Sequence, residues 1–212
     1  KGIEQGTCAL MTEVIDESSR GQPIAVLSGP TFAKEVAAGL PTAITLACSN
    51  ARVGEYLIKL LGGERFRPYL SDDPIGAEIG GAVKNVLAIA CGIVTGKNFG
   101  DNARAALITR GIAEMVRLGQ AKAAKFETMM GLSGIGDLTL TCTGGLSRNR
   151  MVGQLMGEGK TLAEALDEIG QVAEGVATAK SAFELAKKLD VEVPIIDTIH
   201  QVLHLEVPAQ DA

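Results

Sequence analysis

Residues Pro74–Val94 read PIGAEIGGAVKNVLAIACGIV. Upstream of this stretch, short β-like runs alternate with helical ones; downstream, every structured segment reads as helix. Ile75–Val94 itself predicts one long helix that is apolar around most of its circumference, too continuous for a surface helix. It also carries Gly76, Gly80, Gly81 and Gly92. Glycine weakens a helix, and the usual compensation is close approach of a second backbone or a ligand. The reading divides the chain into an α/β part, residues 1–74, and an all-α part, residues 75–212.

In the first part, Thr7–Asp16 reads as an amphipathic helix closed by a turn at Ser18-Ser19-Arg20-Gly21. Ile24–Ser28, Thr42–Cys48 and Phe66–Leu70 read as strands. The helices between them run from Gly29-Pro30 through about Ala38, and over Val53–Leu61. Strand–helix alternation of this kind indicates an α/β layer. In the second part, Asn102 is the expected N-cap of a helix reaching roughly Ala124, and Gly131–Gly136 reads as a loop. Further helices are predicted at Ser147–Gly157, Thr161–Ile169, Gly175–Leu189 and Pro194–Leu205. No strand is predicted after residue 75.

Composition narrows the function classes. With 212 residues, 46% hydrophobic and 21% charged, the chain can bury a core without metal or disulfide staples. A net charge of −5 argues against nucleic acid as partner, since such binding rests on phosphate neutralisation. An anionic small substrate would need locally concentrated positive charge. Aromatic residues are 3% with no Trp, which disfavours base-stacking surfaces. Cys8, Cys48, Cys91 and Cys142 are far apart without CxxC spacing and read as reduced thiols of a cytoplasmic protein. No membrane partner is expected, because no uninterrupted apolar run reaches the roughly 18 residues of a spanning helix. His200 and His204 lie four apart, but no Glu follows the first, so no metal site is expected. The opening Lys-Gly-Ile-Glu-Gln-Gly has no apolar signal region and no Met, and reads as the start of a fragment.

Three groups of residues could carry chemistry. Lys84 sits in the apolar run, where desolvation would lower its pKa towards the range useful for proton transfer; a lysine whose tip reaches solvent is the alternative. Asn85 beside it could orient a ligand or satisfy a neighbouring backbone group. Leu132–Asp137 reads LSGIGD, in which Asp137 is either an N-cap or a site residue; its GxG does not extend to a dinucleotide fingerprint. Thr141–Arg150 reads TCTGGLSRNR. A Gly-Gly turn, a capping Ser147 and a helix opening with arginines suit an anion, through free N–H groups and a guanidinium. Two solvated arginines are the alternative. Ser28–Thr31 adds a strand end before a helix, where α/β proteins bind ligands, or a plain turn.

In order along the chain, several stretches resemble the bacterial NAD(P)-dependent sn-glycerol-3-phosphate dehydrogenase family. They are Lys1–Glu4, Leu27–Ala33, Gly81–Asn85, Gly134–Leu138, Thr141–Gly145, Ser147–Asn149 and Val172–Gly175. The resemblance implies a C-terminal remnant of a Rossmann-like domain, residues 1–74. After it comes a larger helical substrate and catalytic domain, residues 75–212, like the C-terminal domain of 6-phosphogluconate dehydrogenase. It implies reduction of dihydroxyacetone phosphate to sn-glycerol 3-phosphate with NAD or NADP, supplying the glycerophospholipid backbone, and leaves a homodimer as a candidate assembly.

By the same resemblance Lys84, Asp137, Lys1 and Thr141 are the expected catalytic group. Gly29, Thr31, Asn85, Ser147, Arg148 and Asn149 join Lys1, Lys84 and Asp137 in binding substrate. Ala33, Val172 and Glu174, with Lys1 and Arg148, contact the cofactor. The family's GxGxxG loop is not in this sequence, so cofactor binding and turnover by this chain alone are doubtful on this reading. Two rival readings are a non-catalytic helical assembly module and another two-domain hydroxy-acid dehydrogenase of the 6-phosphogluconate type.

Overall fold

The computed structural model describes residues 1–19 and 21–208; the turn expected at 18–21 therefore falls partly outside the described residues. Three strands, β1 (Ala25–Ser28), β2 (Thr42–Cys48) and β3 (Phe66–Ser71), form one sheet in that order. β1 runs antiparallel to β2, pairing Ala25 with Cys48 and Ser28 with Thr45, and β2 runs parallel to β3, pairing Thr42 with Phe66. Helix α1 (Met11–Ser19) precedes β1, α2 (Ala33–Ala37) lies between β1 and β2 in the chain, and α3 (Ala51–Leu61) packs on β2 and β3. Among the described residues no strand follows Ser71, and the rest is helical: α4 (Pro74–Gly96), α5 (Gly100–Ala121), α6 (Phe126–Met129), α7 (Asp137–Thr143), α8 (Arg148–Gly157), α9 (Leu162–Ile169), α10 (Glu174–Lys188) and α11 (Pro194–His204). The expected order, α/β then all-α, is the observed one.

Helix α4 is the axis of the core. It is long and apolar enough to cross a bilayer by composition, but 83% of its most apolar window is buried within the protein. Its start is fixed by Pro74 at the first turn and by Asp73, whose carboxylate accepts from Gly76 N–H (2.9 Å) and also from Lys125 N–H (2.8 Å). One buried side chain thus caps α4 and α6 together. The compensation expected for the α4 glycines is backbone packing. A Cβ at Gly92 would run into the Arg150 carbonyl, and one at Gly96 into that of Gln154. On α8, Gly153 and Gly157 lie as closely against the carbonyls of Ile89 and Ile93. Helices α4 and α8 therefore cross backbone to backbone, which fixes the start of α8 relative to the middle of α4. Helix α11 is held similarly: the buried Glu114 carboxylate of α5 accepts from Ile195 N–H (2.7 Å) and Ile196 N–H (3.1 Å).

Several boundaries differ from expectation. Helix α1 begins at Met11, not Thr7, because Ile3 bridges Leu10 and Cys8 takes a positive φ of 62°, which turns the chain back on itself. Helix α2 begins at Ala33 rather than Gly29, since the backbone at Phe32 is still extended. Asn102 is not a cap: α5 already starts at Gly100, which puts Asn102 inside the first turn. The short α6 was not anticipated. The loop expected at Gly131–Gly136 is instead a π-helical turn, Leu132–Gly136, running directly into α7. Its Gly134 lies against the Met129 carbonyl, and its Ser133 carbonyl lies against Gly80 of α4.

Candidate active site

Lys84 of α4 and Asp137 of α7 lie 53 residues apart in the chain and meet, with Nζ 2.5 Å from Oδ1. The side chains are 15% and 1% exposed. Asp137 does not cap α7, as one reading allowed; its carboxylate faces α4 instead. Thr141, one turn further along α7, donates its hydroxyl to the Asp137 carbonyl at 2.6 Å, and its Oγ1 is 3.4 Å from Oδ1. Burial pushes the Asp137 carboxyl above its ordinary value, and Lys84, Lys1 and the Thr141 hydroxyl pull against that rise. Its second oxygen, Oδ2, is buried without a partner among the described residues. Lys84 is thus neither an isolated buried ammonium nor a solvent-seeking one: it is half of a mostly buried ion pair.

Lys1 supplies a second ammonium. Much of the residue is exposed, but its Nζ enters the cleft and donates to the Leu27 carbonyl at 3.1 Å. The stem crosses α4 at Gly81, where a Cβ would come within 2.6 Å of Lys1 Cδ and 2.8 Å of Ser28 Oγ. Gly81 is therefore the gap that admits Lys1. Desolvation lowers the Lys1 ammonium from its ordinary value, and repulsion from Lys84 adds to this, while Asp137 and Glu174 oppose it.

The start of α8 completes the far wall. Ser147 accepts from Arg150 N–H (3.3 Å) and caps the helix as expected, which leaves its hydroxyl proton free to donate. The two arginines part company here. Arg150 turns back to the Gly144 carbonyl (Nε, 3.2 Å) and to Gln154 (3.4 Å), whereas Arg148 is exposed along the cleft. Asn149 is buried: it donates to Asn85 Oδ1 (3.0 Å) and accepts from Gly175 N–H (2.9 Å). That amide pair laces α4, α8 and the first turn of α10, where Glu174 stands. A Cβ at Gly175 would lie 2.6 Å from the Asn85 carbonyl oxygen, so the three helices meet without slack.

These groups line one cleft of about 950 Å³ between the sheet side and the helical side. Thr31 and Ala33 line it from the sheet side. Gly29 and Val172, also expected at the site, are not among the residues that line this cleft. Gly29 packs its backbone on Ile44, where a Cβ would sit 3.2 Å away, and its carbonyl takes the Thr31 hydroxyl (3.2 Å). Val172 is 71% exposed and lies in an adjoining groove that shares Lys1 and Glu174 with the cleft. Sequence reading missed Phe32, Lys34, Leu140 and Gln171 as lining residues. Phe32 reaches over Gly144, where no Cβ fits beneath its ring, and so ties α2 to the turn before α8. The run Thr31–Lys34 after a strand end was the available signal for Lys34.

Elsewhere, His200 stacks on Phe183 with ring centroids 4.2 Å apart, and His204 meets the Val176 carbonyl at 2.9 Å. Both histidines serve packing between α10 and α11. All four cysteines are buried and free.

Residues 73–212 match the sequence family described as NAD-dependent glycerol-3-phosphate dehydrogenase C-terminus, and residues 1–54 match its N-terminus. A glycerol-3-phosphate dehydrogenase [NAD(P)+] of Parvibaculum lavamentivorans is 55% identical over 212 residues, covering 100% of this chain and 64% of the relative. That of Rhodospirillum rubrum is 57% identical over 203 residues, covering 96% of this chain and 58% of the relative. The crystal structure of a glycerol-3-phosphate dehydrogenase from Coxiella burnetii superposes with a TM-score of 0.95 at 48% identity, over 99% of this chain and 64% of that one. A sheet-bearing part followed by a helical part is thus an architecture shared with a known glycerol-3-phosphate dehydrogenase. The chain belongs to the NAD-dependent glycerol-3-phosphate dehydrogenase family. It spans about 64% of the length of the relatives just named that it matches in full.

Proposed function

We propose that this chain carries the substrate-binding and catalytic half of an enzyme that reduces dihydroxyacetone phosphate to sn-glycerol 3-phosphate reversibly. On this reading residues 1–74 are part of the dinucleotide-binding domain, and residues 75–212 are the substrate and catalytic domain. The observation that carries it is the ion pair of Lys84 and Asp137 in a cleft that also holds Lys1 and Arg148.

The substrate phosphate belongs at the start of α8, where free N–H groups, the Ser147 hydroxyl and the Arg148 guanidinium offer charge-assisted hydrogen bonds. This is the local positive charge that a chain of net charge −5 needs. The carbonyl then faces Lys84. Reduction leaves negative charge on its oxygen, which the Lys84 ammonium stabilises and protonates; in oxidation the neutral amine takes the proton back from the hydroxyl. Asp137 holds the ammonium in place, Thr141 holds Asp137, and the low exposure of the pair strengthens both interactions. Asn85 and Asn149 are largely committed to one another, so their part is to keep α4 and α8 in register.

The cleft suits the reactive end of a dinucleotide. Cationic Lys1 and Arg148 edge it, Glu174 and Ala33 stand beside them, and Val172 offers an exposed apolar face in the adjoining groove. A bound NADH or NADPH supplies the hydride. A cytoplasmic setting goes with this reading, since all four thiols are free.

The test is dihydroxyacetone-phosphate-dependent oxidation of NADH and NADPH, by this chain and by the protein extended to its relatives' length. Turnover by the extended protein is expected. Absence of turnover from it, with the fold intact, contradicts the reading.

A further inference from the structure

On α4, Gly81 lies about one turn from Glu78 on one side and from Lys84 on the other, and is the helical neighbour of both. Lys84 and Gly81 belong to the cleft; Glu78 does not. It is 1% exposed, and burial pushes its carboxyl above its ordinary value. Its carboxylate accepts twice from one residue, from Thr12 N–H at 3.1 Å and from the Thr12 hydroxyl at 2.5 Å. Thr12 lies in the first turn of α1, where backbone N–H groups lack helical partners. That turn also has a second acid, since Glu13 accepts from Leu10 N–H at 2.6 Å. The two acids take different N–H groups, and Glu78 alone reaches α1 from the core helix and also binds the Thr12 hydroxyl.

The segment leading into α1 is what this contact holds. Ile3 bridges Leu10, and Glu4 N–H donates to the Ala9 carbonyl at 2.8 Å, so residues 3–10 double back as a tight arm. One strand of this arm ends at Thr12, held by Glu78. The other ends at Lys1, whose stem lies on Gly81 three residues along the same helix. The two ends of the arm are thus registered against one face of α4, one by a buried carboxylate and the other by a missing Cβ.

We infer that Glu78 is a positioning residue for the reaction: by holding Thr12 to α4 it sets where the Lys1 ammonium stands relative to Lys84 and Asp137. The inference rests on the proposed role of Lys1 and Lys84 at the reacting centre. Glu78 touches neither substrate nor reacting atoms and acts through the arm.

The experiment uses the protein at its relatives' full length. Glu78→Gln keeps the volume but removes the charge and leaves one acceptor facing Thr12 where the carboxylate has two. It is expected to lower kcat about tenfold, as misplacement of an oriented group does, with a smaller change in KM. Thr12→Val, which removes only the hydroxyl, gives a smaller loss in the same direction and serves if Glu78→Gln does not fold. In a Lys1→Ala background Glu78→Gln should cost less than about twofold, because coupled residues are not additive. An undiminished cost there, or no cost in the wild-type background, overturns the inference. A second reading does not depend on turnover: acetylation of the Lys1 amine by acetic anhydride, followed by peptide mass, should speed up several-fold in Glu78→Gln while Lys160 is unchanged. An inactive parent enzyme with this acceleration would sink the proposed reaction and keep the positioning role. Unchanged Lys1 labelling would overturn the positioning role itself.

Discussion

Helix α4 buries Ile79, Val83, Val86, Leu87 and Ile89 almost completely, whereas the amphipathic α3 buries only Gly54 and leaves Tyr56 and Leu60 63% and 62% exposed. The contrast extends to whole regions. The helical part is organised around one continuous core that draws on α4, α5, α10 and α11, with Ile3, Cys8 and Leu10 of the arm joining it. The sheet buries Ile44, Leu46 and Cys48 and joins α4 through a small cluster in which Val26 and Ala47 meet Ala77. Lys84, Asp137, Thr141 and the start of α8 all belong to the part with the large core, and a packed frame of that kind holds side chains to tight tolerances. The sheet side adds Thr31, Ala33 and Phe32 from a less buried frame, and Lys1 comes from an arm clamped to α4. Most of the candidate site thus hangs from the helical core, and the sheet side and the arm complete the cleft.

The sharpest way to break this comparison is at the crossing of α4 and α8. Gly153→Val places a branched side chain against the Ile89 carbonyl, where no Cβ fits. We expect a loss of more than about 4 kcal/mol or failure to fold, at the extreme of single substitutions, read by urea denaturation. A mild effect would mean that the crossing gives way and is not the fixed axis of the site.

Next is the junction. Asp73→Ala removes the caps of α4 and α6 at once and should cost about 1–3 kcal/mol in the same measurement, since each lost cap is worth about 1. Asp73→Asn keeps one acceptor and should recover part of that loss. Equal losses in the two variants would argue against a double cap.

The smallest effect concerns the packing of α10 on α11. Burial, with repulsion from His204, lowers the His200 pKa below 6.5. As pH falls, the unfolded chain takes up the proton first. The stability His200 contributes is therefore full above pH 6.5 and is lost as pH falls through its folded-state value. Replacing it by Gln should remove that slope, a difference of no more than about 2 °C in Tm over the window. A slope that survives the substitution would assign it to other groups.

Much of the helical part is legible in the sequence because its boundaries are written in local chemistry. Pro74 and Pro194 open α4 and α11, Ser147 caps α8, and Thr161 with Glu164 forms a capping box for α9. The sheet is less so. Residue pattern marks β1 and β2 as strands, but nothing local says that they pair antiparallel while β2 and β3 run parallel. The start of α1 is misread because a positive φ at Cys8 and the bridge from Ile3 to Leu10 are properties of the folded arm, not of its composition. At the site, the ordered motifs contain most of the residues that line the cleft, but not their pairings. That Lys84 meets Asp137, that Arg150 turns away while Arg148 does not, and that Asn149 is spent on Asn85 and Gly175 all depend on contacts across tens of residues. Gly29 and Val172 do not line the cleft, although Thr31 and Ala33 of the one motif and Glu174 of the other do, so adjacency in sequence marks the region without ordering its lining.

The most direct test is Lys84→Ala in the full-length protein, assayed for dihydroxyacetone phosphate reduction and for thermal unfolding. Loss of the group that protonates the developing alkoxide should lower kcat by at least about 10²–10⁴-fold, the usual worth of a general acid, with the cooperative unfolding transition retained. Turnover within a few-fold of the parent in a folded Lys84→Ala protein would contradict the account, because the pair of Lys84 and Asp137 would then be structural and the chemistry would lie elsewhere.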